Sequence, residues 1–357
     1  MPINYEPING QTDVATTRTL LHEVIPLTGT IVSGTYGTFP DDDNIKNYSH
    51  GQFQSVYDYP YLSSSANHIF DLSVGYDESS GYSGSAGAIQ EKKKINMYNQ
   101  MSQVLLGYTG STSTVRKFES DLKLDGTGSM NEVFFVNLSR LLTKDQIKKG
   151  SFSITLVTGA YAAAGPEGGV ITYTDQAASD TAGTLATVGG DYGVLTSGTG
   201  ASALTGGVVF YQAGVAILTA SAFSGSTYGP PTTFYSDGST TFGTVADLLT
   251  GSAISGACDA FRQRVQNIQF NNTTEINSKV YFCRAPHNKF NYSSNPTYLS
   301  GGSIRVKNNT RARPPIAYIT TIGLYNSSNE LLAVAKLSEP LRKDPTNELT
   351  LRVRLDY

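Results

Sequence analysis

The chain has 357 residues, 39 % hydrophobic and only 15 % charged, with 22 Tyr, 15 Phe, no Trp and a net charge of −3. Such a composition excludes a disordered chain, which lacks aromatics and carries more charge, and the length suffices for a sizeable core in two or three domains. The total hides a split that bears on partners: 150–261 hold no Lys or Arg and seven acids, net −7, whereas 262–357 are net +8 and 1–149 net −4.

Residues 1–20 are polar and Pro-containing and predict an N-terminal arm. Residues 21–35 alternate and turn at Gly29 and Gly34, predicting a strand pair, and Asp41–Asp43 with Asn44 mark a solvated loop. The segment 50–76 is aromatic and polar, and Ile69, Leu72 and Val74 predict a strand near its end. In 89–108, Ile95, Tyr98, Met101 and Leu105 recur at helical spacing, with Gly107 as C-cap and Lys92–Lys94 on the solvated side. VFFVNLSRLL (133–142) reads as a strand or a buried helix. Thr143 and Gln146 at capping-box spacing predict a short helix of about two turns, closed by Gly150. Phe152, Ile154 and Leu156 then share one face of a strand in 151–159.

From about 160 to 256 the composition shifts to Ala, Gly, Ser and Thr, with strong strand character at 206–223. The remainder reads as strands and turns: AFRQRVQNIQF, EINSKVYFCRA, GSIRVKN, AYITTIGLY, LLAVAKLSEPL and ELTLRVRLDY. Asn326–Asn329 form a four-residue hairpin loop between the fourth and fifth. In the last run Leu349, Leu351, Val353 and Leu355 face one side, and Thr350, Arg352, Arg354 and Asp356 the other. The expected fold is mainly β: antiparallel sheets or a sandwich with one or two short helices. The arm is 1–20, the β-rich scaffold domain 21–158 with 257–357, and an acidic Gly/Ser/Thr/Ala-rich lobe is inserted at 159–256.

Motifs that carry chemistry are missing. His22, His50, His68 and His287 contain no i, i+4 pair and no HExxH. Asp41–Asp43 cannot open an EF-hand loop, because Ile45, Lys46 and Gln52 stand where an oxygen ligand, a glycine and a glutamate are required. There is no P-loop and no GxSxG. The expectation is no catalytic residue, no cofactor and no metal. Cys258 and Cys283 give no disulfide framework and read as two buried reduced thiols. The first residues lack a leader's basic and apolar regions, and 208–223 is too short and polar to span a bilayer. Assembly in a host cytoplasm is the resulting expectation. Basic residues of the last third are scattered singly on strand faces, which argues against nucleic acid as a partner.

A strand-rich, weakly charged, motif-free chain suits a subunit that adheres to other subunits. Its alternating last strand can pair with a partner's sheet edge or inside its own sheet. Arg352, Arg354, Asp356 and Tyr357 are therefore candidate protein–protein contacts.

The stretches HGQFQSVYDYPYLSSSANHIFDLSVGY (50–76), NQMSQVLLGY (99–108), LLTKDQIKKGSFSITL (141–156), VVFYQAGVAILTASAF (208–223), KFNYSSNPTYLSG (289–301) and 317–357 resemble virion structural proteins of tailed bacteriophages. They look most like those of contractile-tailed, T4-like phages of marine bacteria and cyanobacteria. The resemblance covers most of the chain in blocks and is weakest at 160–205 and 224–255. It implies a particle component, in the tail or baseplate before the neck, with other virion proteins and copies of itself as partners. No small-molecule substrate and no membrane are implied. Two other classes stay open: a receptor- or carbohydrate-binding tail module, motivated by the 22 Tyr, and a polysaccharide hydrolase, which needs paired carboxylates about 5–10 Å apart in a groove. The charge split predicts that charge reversal at Arg352 and Arg354 impairs assembly more than neutral changes at Asp180 and Asp191, as counted in assembled particles.

Overall fold

The structure, a computed structural model, describes all residues except 1–4, 29–42, 85–87, 110–113, 158–160, 163–164, 167–169, 180–183, 199–203, 224–233, 236–240, 243–248, 251–252, 263, 294–297, 301–302, 305–309 and 313–314. In chain order the strands are β1 (Val14–Thr28), β2 (Ile45–Asn47), β3 (Gln54–Tyr57), β4 (His68–Tyr76), β5 (Glu132–Leu138), β6 (Gln146–Ile147), β7 (Ser153–Val157), β8 (Tyr161–Ala162), β9 (Gly165–Pro166), β10 (Val170–Thr174), β11 (Thr184–Thr187), β12 (Gly190–Ser197), β13 (Leu204–Phe210), β14 (Val215–Thr219), β15 (Phe234–Tyr235), β16 (Thr241–Phe242), β17 (Val265–Ala285), β18 (Leu299–Ser300), β19 (Ser303–Ile304), β20 (Ala317–Tyr325), β21 (Leu331–Lys343) and β22 (Leu349–Asp356). The helices are α1 (Ile89–Leu105), α2 (Arg140–Thr143) and α3 (Ile254–Arg262). The fold is mainly β. The chain divides into a large unit, Leu21–Thr274, and a terminal unit, Met1–Leu20 with Glu275–Tyr357.

The large unit is built on an antiparallel sheet whose order runs β17–β7–β10–β12–β13–β14–β5–β4–β3–β2. Its middle is apolar on both faces. In β14 all five residues are buried, and in β5 all but Glu132 and Asn137. The period of two splits them. Phe134, Val136 and Leu138 join Phe70, Leu72, Val74, Ala216 and Leu218 in one cluster. Val133 and Phe135 join Val208, Phe210, Val215 and Ile217 in another. Each face needs a cover, and a helix belongs to each. Phe261 of α3 stacks on Phe134 with centroids 4.8 Å apart. Tyr98 and Leu105 of α1 fill the second cluster.

Gly75 lets α1 lie close to β4, because a Cβ there would come within 2.9 Å of the Lys94 carbonyl oxygen. Tyr98 anchors the helix: its hydroxyl donates to the Met130 carbonyl (2.9 Å) and accepts from the Phe118 N–H (3.1 Å). Gly107, at φ 78°, ends α1 with its N–H on the Ser102 carbonyl, as the sequence suggested.

In the terminal unit β22 pairs with β17 over eight residues, from Ser278↔Asp356 to Ala285↔Leu349. Residues expected as a loose arm belong to this unit. The Asp13 carbonyl accepts from the Phe282 N–H (2.8 Å), its carboxylate pairs with Arg284 (2.7 Å), and Glu6 pairs with Lys289 (2.6 Å). The expected second strand of 21–35 lies largely outside the described residues, and 14–28 form one strand.

The structure departs from several other expectations. The stretch 159–256 is no separate lobe: β10, β12, β13 and β14 stand between β7 and β5 in the large unit's sheet, and the chain divides at 20/21 and 274/275 instead. Double burial of β13 and β14 demands neighbours on both edges and both faces. No helix forms over 143–150. Lys144 adopts φ 56°, and Ile147, fully buried, is drawn into β6 against Asn272. The run 133–142 is a strand followed by the single turn of α2. Ala260–Arg262, expected in a strand, end α3, whose Ile254, Ala257, Cys258 and Phe261 are buried at helical spacing.

Lys94, expected on the wet side of α1, is buried. Its Nζ donates to the Leu249 carbonyl and lies 6.0 Å from the Tyr76 ring centroid. Burial pulls its ammonium down to about 8 from 10.5. The folded chain therefore holds this proton less tightly than the unfolded chain, and the stability withheld at neutral pH returns as pH rises through that window. Relative to Lys94→Met, the native chain should gain stability between pH 8 and 10.5, by about 3 kcal/mol at most, in denaturant titrations across that range. Gly75→Ala should cost about 1–3 kcal/mol in the same assay, since helix and strand must separate.

Candidate assembly surface

AYITTIGLY and LLAVAKLSEPLRK form the β20–β21 hairpin, a two-stranded sheet with no further strand paired to it among the described residues. The Asn326–Asn329 turn closes it: the Asn326 N–H donates to the Glu330 carbonyl (3.0 Å), and Asn329 takes φ 64°. The register jumps from Ile319↔Leu341 to Thr321↔Lys336, so Thr320 faces four residues, Leu337 to Pro340. Proline has no N–H to give a ladder and is tolerated where the ladder is interrupted.

At the start of β21, Leu331–Ala335, the two faces are inverted in size. Ala333 and Ala335 share the inner face with Ile322 and Leu324, and all four are at least partly buried. Leu332 and Val334 point outward, 68 % and 52 % exposed, with Leu331 and Tyr325 beside them at 52 % and 44 %. The Tyr325 ring covers Gly323, where a Cβ would meet it at 2.8 Å, and Tyr5 packs edge-on against it with centroids 5.0 Å apart. An ordinary hairpin turns its larger apolar side chains inward. Here the start of β21 turns Leu332 and Val334 to solvent, next to the cation of Lys336.

The base is held by a buried cation. Lys343 donates to the carbonyls of His287 (3.3 Å) and Asp344 (2.9 Å) and to Asn291 Oδ1 (2.8 Å). Three donors meet three acceptors. Asp344 then orders the turn into β22 through Thr346 N–H (2.9 Å) and an Arg342 pair at 3.2 Å. These bonds hold the hairpin firmly at its root.

The four candidate contacts lie on β22 and just beyond it. Arg352, Arg354 and Asp356 are exposed and alternate with partly or fully buried Leu351, Val353 and Leu355, the two-faced pattern the sequence predicts. Arg354 Nε donates to Asp356 Oδ1 (2.7 Å), and Ser278 Oγ donates to the same carboxylate (2.6 Å). The Ser278 hydroxyl, and then Arg354, hold the Asp356 carboxyl below its usual range. Tyr357 is exposed, under the Lys279 ammonium at 5.8 Å. Arg354, Asp356 and Tyr357 thus lie together at one end; Arg352 shares the face of Arg354 and Asp356, whereas Tyr357 lies with Lys279, the register partner of Leu355. The strand pairs at home with β17, and no partner is described on its other edge.

Elsewhere two histidines are committed locally. His22 Nδ1 lies 3.2 Å from Thr273 Oγ1, and His68 Nε2 lies 2.7 Å from Asp71. Among the described residues no group of three His, Cys, Asp or Glu side chains could hold a metal, and no helix is long and apolar enough to cross a membrane. Cys258 is buried, but Cys283 is only partly so, being a residue of a sheet flank. A groove of about 430 Å³ is lined by Arg116, Lys117, Glu119 and Asp125 among others. Both Glu119 oxygens accept backbone N–H groups, from Asp125 and Gly126 at 2.9 Å, and Thr127 holds the Asp125 carboxyl below its usual range. A general acid needs its pKa raised.

Tyr325, Leu331, Leu332 and Val334 were not singled out by sequence. The signal is the alternation LAVA at 332–335, large then small, which reads as a core strand until the structure shows which side is inward. No protein-family model, no curated protein and no solved structure matches the chain. Because the outward face contributes little to folding, Leu332→Ser and Val334→Ser should each shift unfolding free energy by no more than about 0.5 kcal/mol. Lys343→Met takes the shared donor from three oxygens, one of them buried, and should cost about 1–3 kcal/mol in the same melts.

Proposed function

We propose that this chain is a structural subunit of a tailed bacteriophage particle, in the tail or baseplate, acting through protein–protein contacts. Its partners are neighbouring virion proteins and further copies of itself, and its place is the virion, assembled in the host cytoplasm. One observation carries the reading. The β20–β21 hairpin presents Tyr325, Leu331, Leu332 and Val334 outward on a firmly rooted, two-stranded sheet. Such a hairpin is marginal alone, and covering its outer face with a neighbour removes apolar area from water. The resemblance of 317–357, which contain this hairpin, to virion structural proteins supports the same reading. No catalysis, cofactor or metal is assigned.

The test uses the phage that encodes the chain. Purified particles should contain it among their structural proteins. A gene deletion complemented with Leu332→Asp/Val334→Asp should give soluble, normally melting protein whose incorporation falls by at least about tenfold, since charge enters an apolar contact. Absence of the native chain from purified particles sinks the reading.

A further inference from the structure

We infer that copies of this chain dock head to tail, the outward hairpin face of one copy seating on the Tyr57–Leu62 loop of the next. The inference rests on the subunit reading above and names one of its contacts. Charge selects the pairing. The terminal unit carries 13 basic and 8 acidic side chains, net +5, and the large unit 13 and 21, net −8. Two hairpin faces brought together would set one net-positive unit against another. A hairpin against the acidic large unit brings opposite signs together, which steers encounter and fixes orientation.

The loop after β3 offers the matching surface. Leu62 is 87 % exposed, and Tyr59 and Tyr61 are exposed beside it. The loop carries Asp58, and the Tyr61 N–H donates to the carbonyl of exposed Asp43 (3.0 Å). Apolar side chains flanked by carboxylates thus complement apolar side chains that border Lys336 in a net-positive unit. A second exposed apolar group, Val104, Tyr108 and Val188, lies at the end of α1. Arg116 donates from Nε to the Tyr108 carbonyl there (3.2 Å) and makes that group the poorer match for a basic partner. A contact between two different surfaces is heterologous, and it closes into a ring or runs on as an open array.

The test is sedimentation of the full chain over a range of concentrations at low and high salt. The native chain should self-associate, less so at high salt. Val334→Asp removes the hairpin surface and Leu62→Asp the loop surface, and each should weaken association by at least about tenfold while melting normally. Val334→Ser and Leu62→Ser serve if an aspartate variant fails to fold. Mixed one to one, the two variants retain one complementary pair and should form dimers and nothing larger. A native chain monomeric throughout, a loop variant that associates like the native chain, or a mixture that stays monomeric each overturns head-to-tail docking. A chain monomeric in solution yet present in purified particles overturns this inference and leaves the subunit reading standing. Absence from particles removes the subunit reading itself.

Discussion

In β5 and β14 nearly every side chain is buried, whichever face it points to, and much of the large unit follows from that. A strand buried on both faces cannot lie at the surface, so the sheet must continue to either side, as it does through β4, β3 and β2 one way and β13, β12 and β10 the other. Both faces must also be roofed, and α1 and α3 do so from opposite sides of the Phe134–Phe135 step. Gly75 and the Tyr98 hydroxyl are then consequences: one gives the room a close helix needs, the other satisfies two backbone groups under it.

The hairpin follows an opposite logic. Along Leu331–Ala335 the small residues face in and the large ones face out. Covering four partly exposed apolar side chains gives roughly 1–2 kcal/mol each, against an association cost of about 4–15 kcal/mol. A single such contact is modest and forms at the upper end of a concentration series. It becomes stable when several copies are held at once, because each later contact is made at high effective concentration. A rigid root suits this arrangement, since loose side chains and loops lose more entropy on docking. The buried Lys343 supplies it without an apolar core of its own.

How much was legible depended on whether a pattern had one reading. Leu349 to Asp356 alternate without exception, and the structure keeps that alternation residue by residue. The helix around Tyr98 and its glycine stop were equally plain. Lys94 was misread because three consecutive lysines look solvated, whereas helical geometry sends 94 to the side of 98 and 102. Ile254, Ala257, Cys258 and Phe261 carry a helical repeat, but small residues and a glycine mute it beside the strand-like run that follows. The 159–256 stretch misled most. Its Gly- and Ser-rich flanks resemble an insertion, and composition does not show that the strands within it stand in the middle of a sheet. The inverted hairpin was invisible for a related reason: periodicity shows that two faces differ, not which one is inward.

Between Lys149 and Arg262 no side chain is basic, and the central strands give a physical reason for part of that run. A residue buried from both sides has no water into which a long cation can extend, so β13 and β14 have no place for lysine or arginine. The effect reaches the bench. Trypsin, which cuts after those two residues, releases Gly150–Arg262 as one 113-residue fragment, and amine-reactive cross-linkers find no lysine within it. Peptide maps and cross-link maps of an assembled particle would therefore register this subunit by its α1 lysines and its terminal strands, while the middle of its sheet stays silent to both.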